Sequence, residues 1–231
     1  SDPGEYTIRY YLSGCPVGEF QFTVLEEASS EAPPEREPAI TPLAQAGPGD
    51  LVSFGTYEQD NQPENGKEAI LWRVLAVQGR KALLLSEYGL DSRPYNFEID
   101  DVTWETCSLR KWLNESFLQE AFTREEQDAV YLSDISADAS TDLAVDAGSP
   151  VQNRVFLLSL KEVSQYFKAA FGRQCTPTAY AAAKGCNLQK DTGKSWWWLR
   201  TPGSTLKRAA RVEADGTAGS SDLFVSADNG V

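Results

Sequence analysis

The stretch SWWWLRTPG, residues 195–203, places three consecutive tryptophans and a leucine before a Thr-Pro-Gly turn signal. Such a run of large apolar side chains predicts a β-strand that contributes to the core. Successive side chains of a strand point to opposite faces, so Trp197 should face away from Trp196 and Trp198. We therefore expect that not all three indoles are buried. One face of the strand should anchor the core, and the other should pack under the helices or line a ligand-binding surface.

The residues after this stretch alternate between small apolar and larger polar side chains. Ala210, Val212 and Ala214 should point inward, which leaves Arg211 and Glu213 on the outer face of the same strand. The dipeptide Asp215-Gly216 then predicts the turn of a hairpin.

Upstream of the tryptophans the sequence predicts strands first and helices later. Residues 108–122 carry apolar side chains at steps of three and four, the pattern of an amphipathic helix. A Thr123/Glu126 pair and a Ser159/Glu162 pair each have the spacing of a capping box. Strands followed by helices and a β-rich end, without βαβ alternation, predict an α+β fold. The predicted core includes Trp72, Trp112, Trp196, Trp198 and Leu199.

Two further elements are predicted between the helices and the tryptophans. RVFLLS, residues 154–159, has the composition of a short buried strand. Thr176 and Pro177 predict the N-cap and first position of another helix, with Gly185 just beyond its end.

The chain divides into three parts by composition. Residues 1–27 alternate as a β-hairpin does, and they resemble the last two strands of a bacterial immunoglobulin-like domain. Residues 28–48 contain five prolines among alanine, serine and glutamate, which predicts an extended linker. Residues 49–231 then form the main domain. Because methionine is absent even at position 1, we expect the chain to be a piece of a longer protein.

Composition excludes several function classes. A net charge of −13 disfavours binding to nucleic acid and to anionic lipid. Histidine is absent, which removes histidine-dependent hydrolases and proteases and most zinc sites. No apolar run is long enough to span a bilayer, so we expect no direct membrane insertion by this chain.

The residues that usually hold metals or cofactors also lack the required spacing. No pair among Cys15, Cys107, Cys175 and Cys186 forms a CxxC motif. The sequence does not decide whether Cys175 and Cys186 form a disulfide. Four aspartates, Asp134, Asp138, Asp142 and Asp146, recur every four residues, but an EF-hand needs alternate ligands and a closing glutamate. We predict no catalytic residue, no metal site and no cofactor.

From Gly49 onward the order of motifs resembles a bacterial domain family of uncharacterised function with a C-type-lectin-like fold. The motifs that carry this resemblance are ILWRVL, ALLLSEYGLDSRPYN, WETCSLRKWLNESFLQEAF, RVFLLSLKEV, CTPTAYA, WWWLRTPG and VEADGT. The family is similar to the variable proteins of diversity-generating retroelements, and more distantly to formylglycine-generating enzymes. The segment QPEN, residues 62–65, resembles the calcium loops of sugar-binding lectins, but a matching Trp-Asn-Asp segment is missing.

The resemblance implies a ligand-binding face, because the residues after the tryptophans of such proteins lie on solvent-facing strands and loops. In retroelement targets some of these positions are diversified by adenine-directed mutagenesis. Here the face would comprise Ser204, Thr205, Lys207, Arg208, Arg211, Glu213, Thr217, Ser220, Ser221, Asp222, Phe224, Ser226 and Asp228. The same positions are equally compatible with the ordinary polar surface of a member that is not diversified.

These observations lead to one main hypothesis and two alternatives. The main hypothesis is a non-catalytic recognition module that binds a protein or a glycan, located at the cell surface or otherwise outside the cytoplasm. The first alternative is a structural module of a bacterial surface protein. The second is an enzyme related to formylglycine-generating proteins, although residues 187–231 contain no cysteine of the kind that those enzymes use.

Overall fold

The structure is a computed structural model, and it describes residues 4–12, 15–24, 39–138, 145–219, 223–227 and 230. The chain divides into two compact units, Ser1–Ala39 and Ile40–Val231. Residues 13 and 14 within the predicted β-hairpin and residues 28–38 of the predicted linker lie outside the described residues. Domain boundaries predicted from composition therefore stay predictions.

The first unit contains two antiparallel strands. β1, Gly4–Leu12, pairs with β2, Cys15–Val24, and the register shifts between Tyr10 and Tyr11.

The second unit begins with an antiparallel sheet in the order β3-β4-β5, formed by Leu51–Tyr57, Glu68–Gln78 and Lys81–Ser86. Ile40 forms a parallel bridge with Leu51, and the Thr41 amide donates to the Leu51 carbonyl at 2.8 Å. The end of the proline-rich segment thus contacts this sheet.

The predicted amphipathic helix is confirmed, with an irregularity at its centre. Helix α1, Ser108–Trp112, continues through a π-helical turn, Leu113–Phe117, into α2, Leu118–Ala121. Asn114 in the π-helical turn donates to the Val155 carbonyl at 2.8 Å and accepts from the Arg154 amide at 2.8 Å. The helix therefore holds a distant segment of chain through one amide side chain.

Both predicted capping boxes are confirmed. Thr123 caps α3, Arg124–Ala129, and Ser159 caps α4, Leu160–Tyr166, each with the reciprocal glutamate bond. These caps satisfy amide donors that the first helical turn leaves without intrahelical partners.

The predicted start of the last helix was wrong by two residues. Thr178, not Thr176, caps α5, Ala179–Ala183. Thr176–Pro177 instead forms β9, which pairs in parallel with β6, Tyr88–Gly89. The Thr178 amide donates to the Gly89 carbonyl, so pairing with a distant segment keeps the chain extended there. Gly185 lies just beyond the helix with φ of +92°, as expected of a residue that ends a helix.

The buried strand predicted at residues 154–159 is also wrong. The short strands nearby are β7, Ser133–Ile135, and β8, Val151–Asn153, which pair with each other. Residues 154–159 form no strand; Asn114 binds Val155, while the Leu157 and Leu158 carbonyls accept from Arg200. The Asn114 and Arg200 side chains and the Arg200 backbone amide thus supply partners that a β-ladder would otherwise supply.

The tryptophan stretch enters the C-terminal sheet, which has the order β10-β11-β12. Its strands are Trp197–Pro202, Ala209–Val212 and Ala218–Gly219. Asp215-Gly216 forms the predicted turn between β11 and β12, and Gly216 has φ of +87°.

The expectation that one indole would stay exposed is wrong. Trp196, Trp197 and Trp198 are 6%, 8% and 1% exposed. Trp196 and Trp198 pack in the main core, whereas Trp197 packs in a second cluster with Val163 and Phe167. The side chains do alternate, but a second layer that includes α4 covers the opposite face of the strand.

The other residues assigned to the core are buried to different degrees. Leu199 has no exposed surface and belongs to the same cluster as Trp197. Trp72 and Trp112 are half-buried at the edge of the main core. Ala210 and Val212 have no exposed surface, which confirms the inward alternation predicted for β11.

Arg200 is the buried charge of this strand, and sequence reasoning did not identify it. Its side chain is 3% exposed and forms two bonds to Glu162, at 2.5 and 2.9 Å. It also lies 3.6 Å from Asp138 and donates to the carbonyls of Ser136 and Leu157. One guanidinium therefore joins β10, α4 and the chain after β7.

Replacing Glu162 by glutamine tests this ion pair. Glutamine retains the capping-box geometry but leaves Arg200 with less compensating charge, so we expect a loss of about 2–4 kcal/mol in unfolding free energy. Urea denaturation measures the change. The control is Glu125→Gln, the same substitution at an exposed first-turn position of α3, which should change stability by less than about 0.5 kcal/mol. Equal effects of the two variants would contradict the assignment.

Replacing Trp197 by alanine tests the second layer. The indole is buried and donates to the Arg173 carbonyl at 2.9 Å, so truncation should cost about 3–5 kcal/mol in unfolding free energy. Phe171→Ala is the matched control, since Phe171 is 79% exposed and should matter little. An unchanged thermal midpoint for Trp197→Ala would show that the opposite face of β10 is not covered.

Candidate ligand-binding surface

The connection between β10 and β11 presents polar side chains on a tightly bonded backbone. The Gly203 amide donates to the Arg208 carbonyl at 2.8 Å, and the Arg208 amide donates to the Thr205 carbonyl at 3.0 Å. Within this turn Ser204, Thr205 and Lys207 are exposed. The local hydrogen bonds therefore fix the backbone while leaving these three predicted side chains in solvent.

The chain after β12 returns to this turn. The Val225 amide donates to the Lys207 carbonyl at 2.9 Å, and Val225 itself has no exposed surface. Its neighbour Phe224 is 43% exposed, with the Arg208 guanidinium 4.2 Å from the ring centroid. Burial of Val225 thus anchors the segment and turns Phe224 outward, beside Arg208.

Other members of the predicted face form a separate group. Arg211 bonds to Glu213 at 2.7 Å and lies over the Trp196 ring, 5.1 Å from its centroid. Three residues of strand separate Arg211 from Arg208, which corresponds to about 10 Å. The Arg211 charge is compensated by Glu213, one residue beyond the end of β11, whereas Thr217 is exposed beyond the following turn.

The remaining predicted positions cannot all be placed. Ser226 is half-buried next to Val225. Ser220, Ser221, Asp222 and Asp228 lie outside the described residues.

Sequence reasoning missed a loop that contacts this region. The Asn96 amide donates to the Val225 carbonyl at 2.8 Å, and the Val102 amide donates to the Leu206 carbonyl at 3.0 Å. Between these two contacts Phe97 is 66% exposed and Ile99 is 52% exposed. The signal in the sequence was two apolar residues alternating with acidic ones, Phe-Glu-Ile-Asp, outside any helix or strand.

These segments together define one surface patch. We call it the Phe224 surface; it comprises Phe97, Ile99, Lys207, Arg208 and Phe224. Backbone hydrogen bonds connect the loop at 96–102 with the turn at 204–208 and with Val225. The patch therefore combines exposed apolar groups with cationic ones on a constrained backbone.

An acidic cluster lies elsewhere in the unit, next to the QPEN segment. Carboxylate oxygens of Glu58, Asp60 and Glu68 lie within 4.8 Å of one another, so they could hold a cation. They also accept bonds from the loop itself: the Gln62 amide donates to Glu58 and Asp60, and the Gln59 amide donates to Glu68. These hydrogen bonds to the loop backbone account for the close approach of the three carboxylates.

The cysteines of the second unit are protonated at neutral pH. Cys107, Cys175 and Cys186 are free thiols. Burial raises the pKa of Cys107 to about 11 and that of Cys175 to about 12, and it also raises the pKa of Cys186. Since the thiolate is the reactive form, these environments suppress nucleophilic cysteine chemistry.

The described part of the chain contains no helix that is both long and apolar enough to cross a membrane.

Comparison with known proteins places the chain in a family without assigning an activity. A family model described as a domain of unknown function, DUF6273, matches residues 79–231, about two-thirds of the chain. Comparisons with curated proteins and with solved structures find no significant match. The matched range includes α1 to α5, the tryptophan stretch and the Phe224 surface. The chain belongs to the DUF6273 family, a domain family of unknown function.

Proposed function

We propose that the second unit is a non-catalytic recognition module that binds a protein through the Phe224 surface. The observation that carries this proposal is the exposure of Phe97, Ile99 and Phe224 on segments that backbone hydrogen bonds connect, with Phe224 beside Arg208. Exposed large apolar side chains are common singly, but a contiguous group often marks an interaction site.

The chemistry of the patch matches the anchors of protein interfaces. Aromatic residues and arginine contribute most of the binding free energy at such interfaces, especially at their centres. Phe224 and Arg208 form such a pair, and Phe97 adds a second exposed ring. A protein partner with a complementary apolar patch would bury all three side chains.

The backbone of the patch supports binding because it is already ordered. The Asn96–Val225, Val102–Leu206 and Val225–Lys207 hydrogen bonds connect its three segments. Ordering a loop upon binding costs free energy, so a surface that is held in place beforehand binds more tightly.

The sequence resemblance extends this proposal to fold, origin and location. We propose a C-type-lectin-like fold for the second unit and a position at the bacterial cell surface or otherwise outside the cytoplasm. The same resemblance supports diversification of the surface by a retroelement. Comparison of copies in the source genome tests it: variation concentrated at residues 204–228, with SWWWLRTPG constant, is expected. Uniform constancy would count against diversification.

Two alternatives remain weaker than recognition. A purely structural module would explain the proline-rich segment, but it gives no reason for the exposure of Phe97 and Phe224. An enzyme related to formylglycine-generating proteins would need reactive cysteines, whereas burial raises the pKa of Cys175 and Cys186.

Selection from a displayed random-peptide library tests the proposal, with a glycan array run in parallel. Peptides that bind the wild-type protein should bind Phe224→Ala and Phe97→Ala at least about tenfold more weakly, because each change removes an exposed aromatic anchor. Both variants should retain the wild-type thermal midpoint within a few degrees, since neither ring is in the core.

The matched control is Thr217→Ala, an exposed predicted position on the other side of β11. It should leave peptide affinity unchanged. Peptides that bind equally well to all variants would place recognition elsewhere, and selective binding to the glycan array alone would assign a glycan instead of a protein.

A further inference from the structure

A cavity of about 190 Å³ lies within the second unit. Its lining includes β5 with the chain up to Asp91, Trp112 with the π-helical turn, and the stretches 155–158, 172–175 and 197–198. None of the five residues of the Phe224 surface lines it. The cavity is therefore a second candidate site, independent of the proposed function.

Most of the lining is apolar. Trp72 and Trp112 are half-buried there, and Leu113 and Phe117 come from the π-helical turn. Such turns are rare, and they occur frequently at functional sites. Here the turn places two apolar side chains on the cavity while Asn114 binds the Val155 backbone.

The polar lining includes the Arg73–Glu87 ion pair, Arg173 and a group of charges around Asp91. The Asp91 carboxylate is 5% exposed and lies 3.2 Å from Arg93 and 3.4 Å from Lys184. It also accepts from the Tyr57 hydroxyl at 2.8 Å. Two cations share this one carboxylate, so the group carries a net charge of +1 within a strongly acidic protein.

The Arg93 guanidinium has donors that are not used within the described part of the protein. Its guanidinium lies 4.0 Å from the centroid of the Trp112 ring, and its Nε donates to Asp91. Among the described residues, neither Nη atom has a hydrogen-bond partner. Both Arg93 and Trp112 line the cavity, which brings a cation with free donors next to an aromatic wall.

We propose that this cavity binds a small carboxylate with an apolar body. The carboxylate would accept from the Arg93 Nη atoms, and the apolar body would pack against Trp112, Leu113 and Phe117. A charge-assisted bond to a guanidinium suits a carboxylate, and the excess positive charge would be neutralised upon binding. The volume is below the roughly 300–1,000 Å³ of pockets for drug-sized ligands, which favours a compact ligand.

Two probes of nearly equal size separate charge from apolar contact: 3-phenylpropionate and 3-phenylpropanol. Isothermal titration calorimetry on the full chain should give saturable binding of the carboxylate with a dissociation constant below about 1 mM. Its affinity should exceed that of the alcohol by about tenfold or more, because only the carboxylate forms the charge-assisted bond. Equal affinities, or no saturable binding of the carboxylate, would overturn the proposal.

The variant Arg93→Gln tests whether Arg93 causes the difference in affinity between the carboxylate and the alcohol. It should bring carboxylate affinity down to that of the alcohol, while Arg124→Gln, which removes an exposed arginine outside the cavity, should preserve the difference. A difference that persists in folded Arg93→Gln protein would overturn the role of Arg93.

A measurement on the wild-type protein covers the case in which Arg93→Gln fails to fold. Nuclear Overhauser contacts from the phenyl ring of 3-phenylpropionate should reach the Trp112 indole and the Leu113 methyl groups. Contacts with Phe97 or Phe224 instead would place the probe on the Phe224 surface and overturn the proposal. Loss of peptide binding in the Phe224 variants would leave these results unchanged, so the two sites can be tested separately.

Discussion

The buried pairing of Arg200 with Glu162 is the interaction on which the second unit depends most. A guanidinium that is 3% exposed would be strongly unfavourable without compensating charge. Its partners come from α4 and from the chain after β7, and its own backbone amide donates to Leu158. The next residue, Thr201, repeats the arrangement by donating to Ala137 and accepting from the Leu160 amide. Two adjacent residues of β10 therefore position segments that are distant in sequence.

The indoles of the neighbouring tryptophans also hold segments that are distant in sequence, on both faces of β10. Trp198 donates to the Arg93 carbonyl and Trp197 to the Arg173 carbonyl, at 3.1 and 2.9 Å. Trp196 packs edge-on against Trp198 in the main core, with centroids 4.8 Å apart. Each ring contributes apolar burial, and two of them also satisfy a backbone acceptor in a loop. The stretch is thus a scaffold that fixes loops, and two of its tryptophans, Trp197 and Trp198, also line the cavity.

Both candidate sites depend on loops that this scaffold holds. Arg93, whose carbonyl binds Trp198, presents its side chain to the cavity; Val225, buried in the main core, orients Phe224 toward solvent. The two sites differ in chemistry. The Phe224 surface offers exposed rings and cations to a large partner, whereas the cavity offers a mostly apolar wall with the Arg93 guanidinium beside it. The two proposed ligands, a small carboxylate and a protein, would therefore bind at separate places.

Local patterns in the sequence determined the elements whose hydrogen bonds are also local. The amphipathic helix at 108–122, the capping boxes at Thr123 and Ser159, and the Asp215-Gly216 turn all follow from neighbouring residues, and the structure contains each of them. The mixed α+β class followed from the order of these elements. Family resemblance correctly indicated a domain of unknown function, and the polar turn at 204–208 was recognisable as part of an exposed face.

Tertiary structure alone decided the features that need partners far along the chain. Residues 154–159 have the composition of a strand, yet Asn114 and Arg200 bind their backbone, so no ladder forms. Thr176 has the chemistry of a helix cap, but pairing with Tyr88 keeps it extended. Periodicity assigned Trp197 to the face opposite Trp198, but only the packing of Val163 and Phe167 covers that face. The Phe224 surface also depends on a distant partner. The hydrogen bond between residues 96 and 225, which brings the segments of Phe97 and Phe224 together, cannot be predicted from either segment by itself.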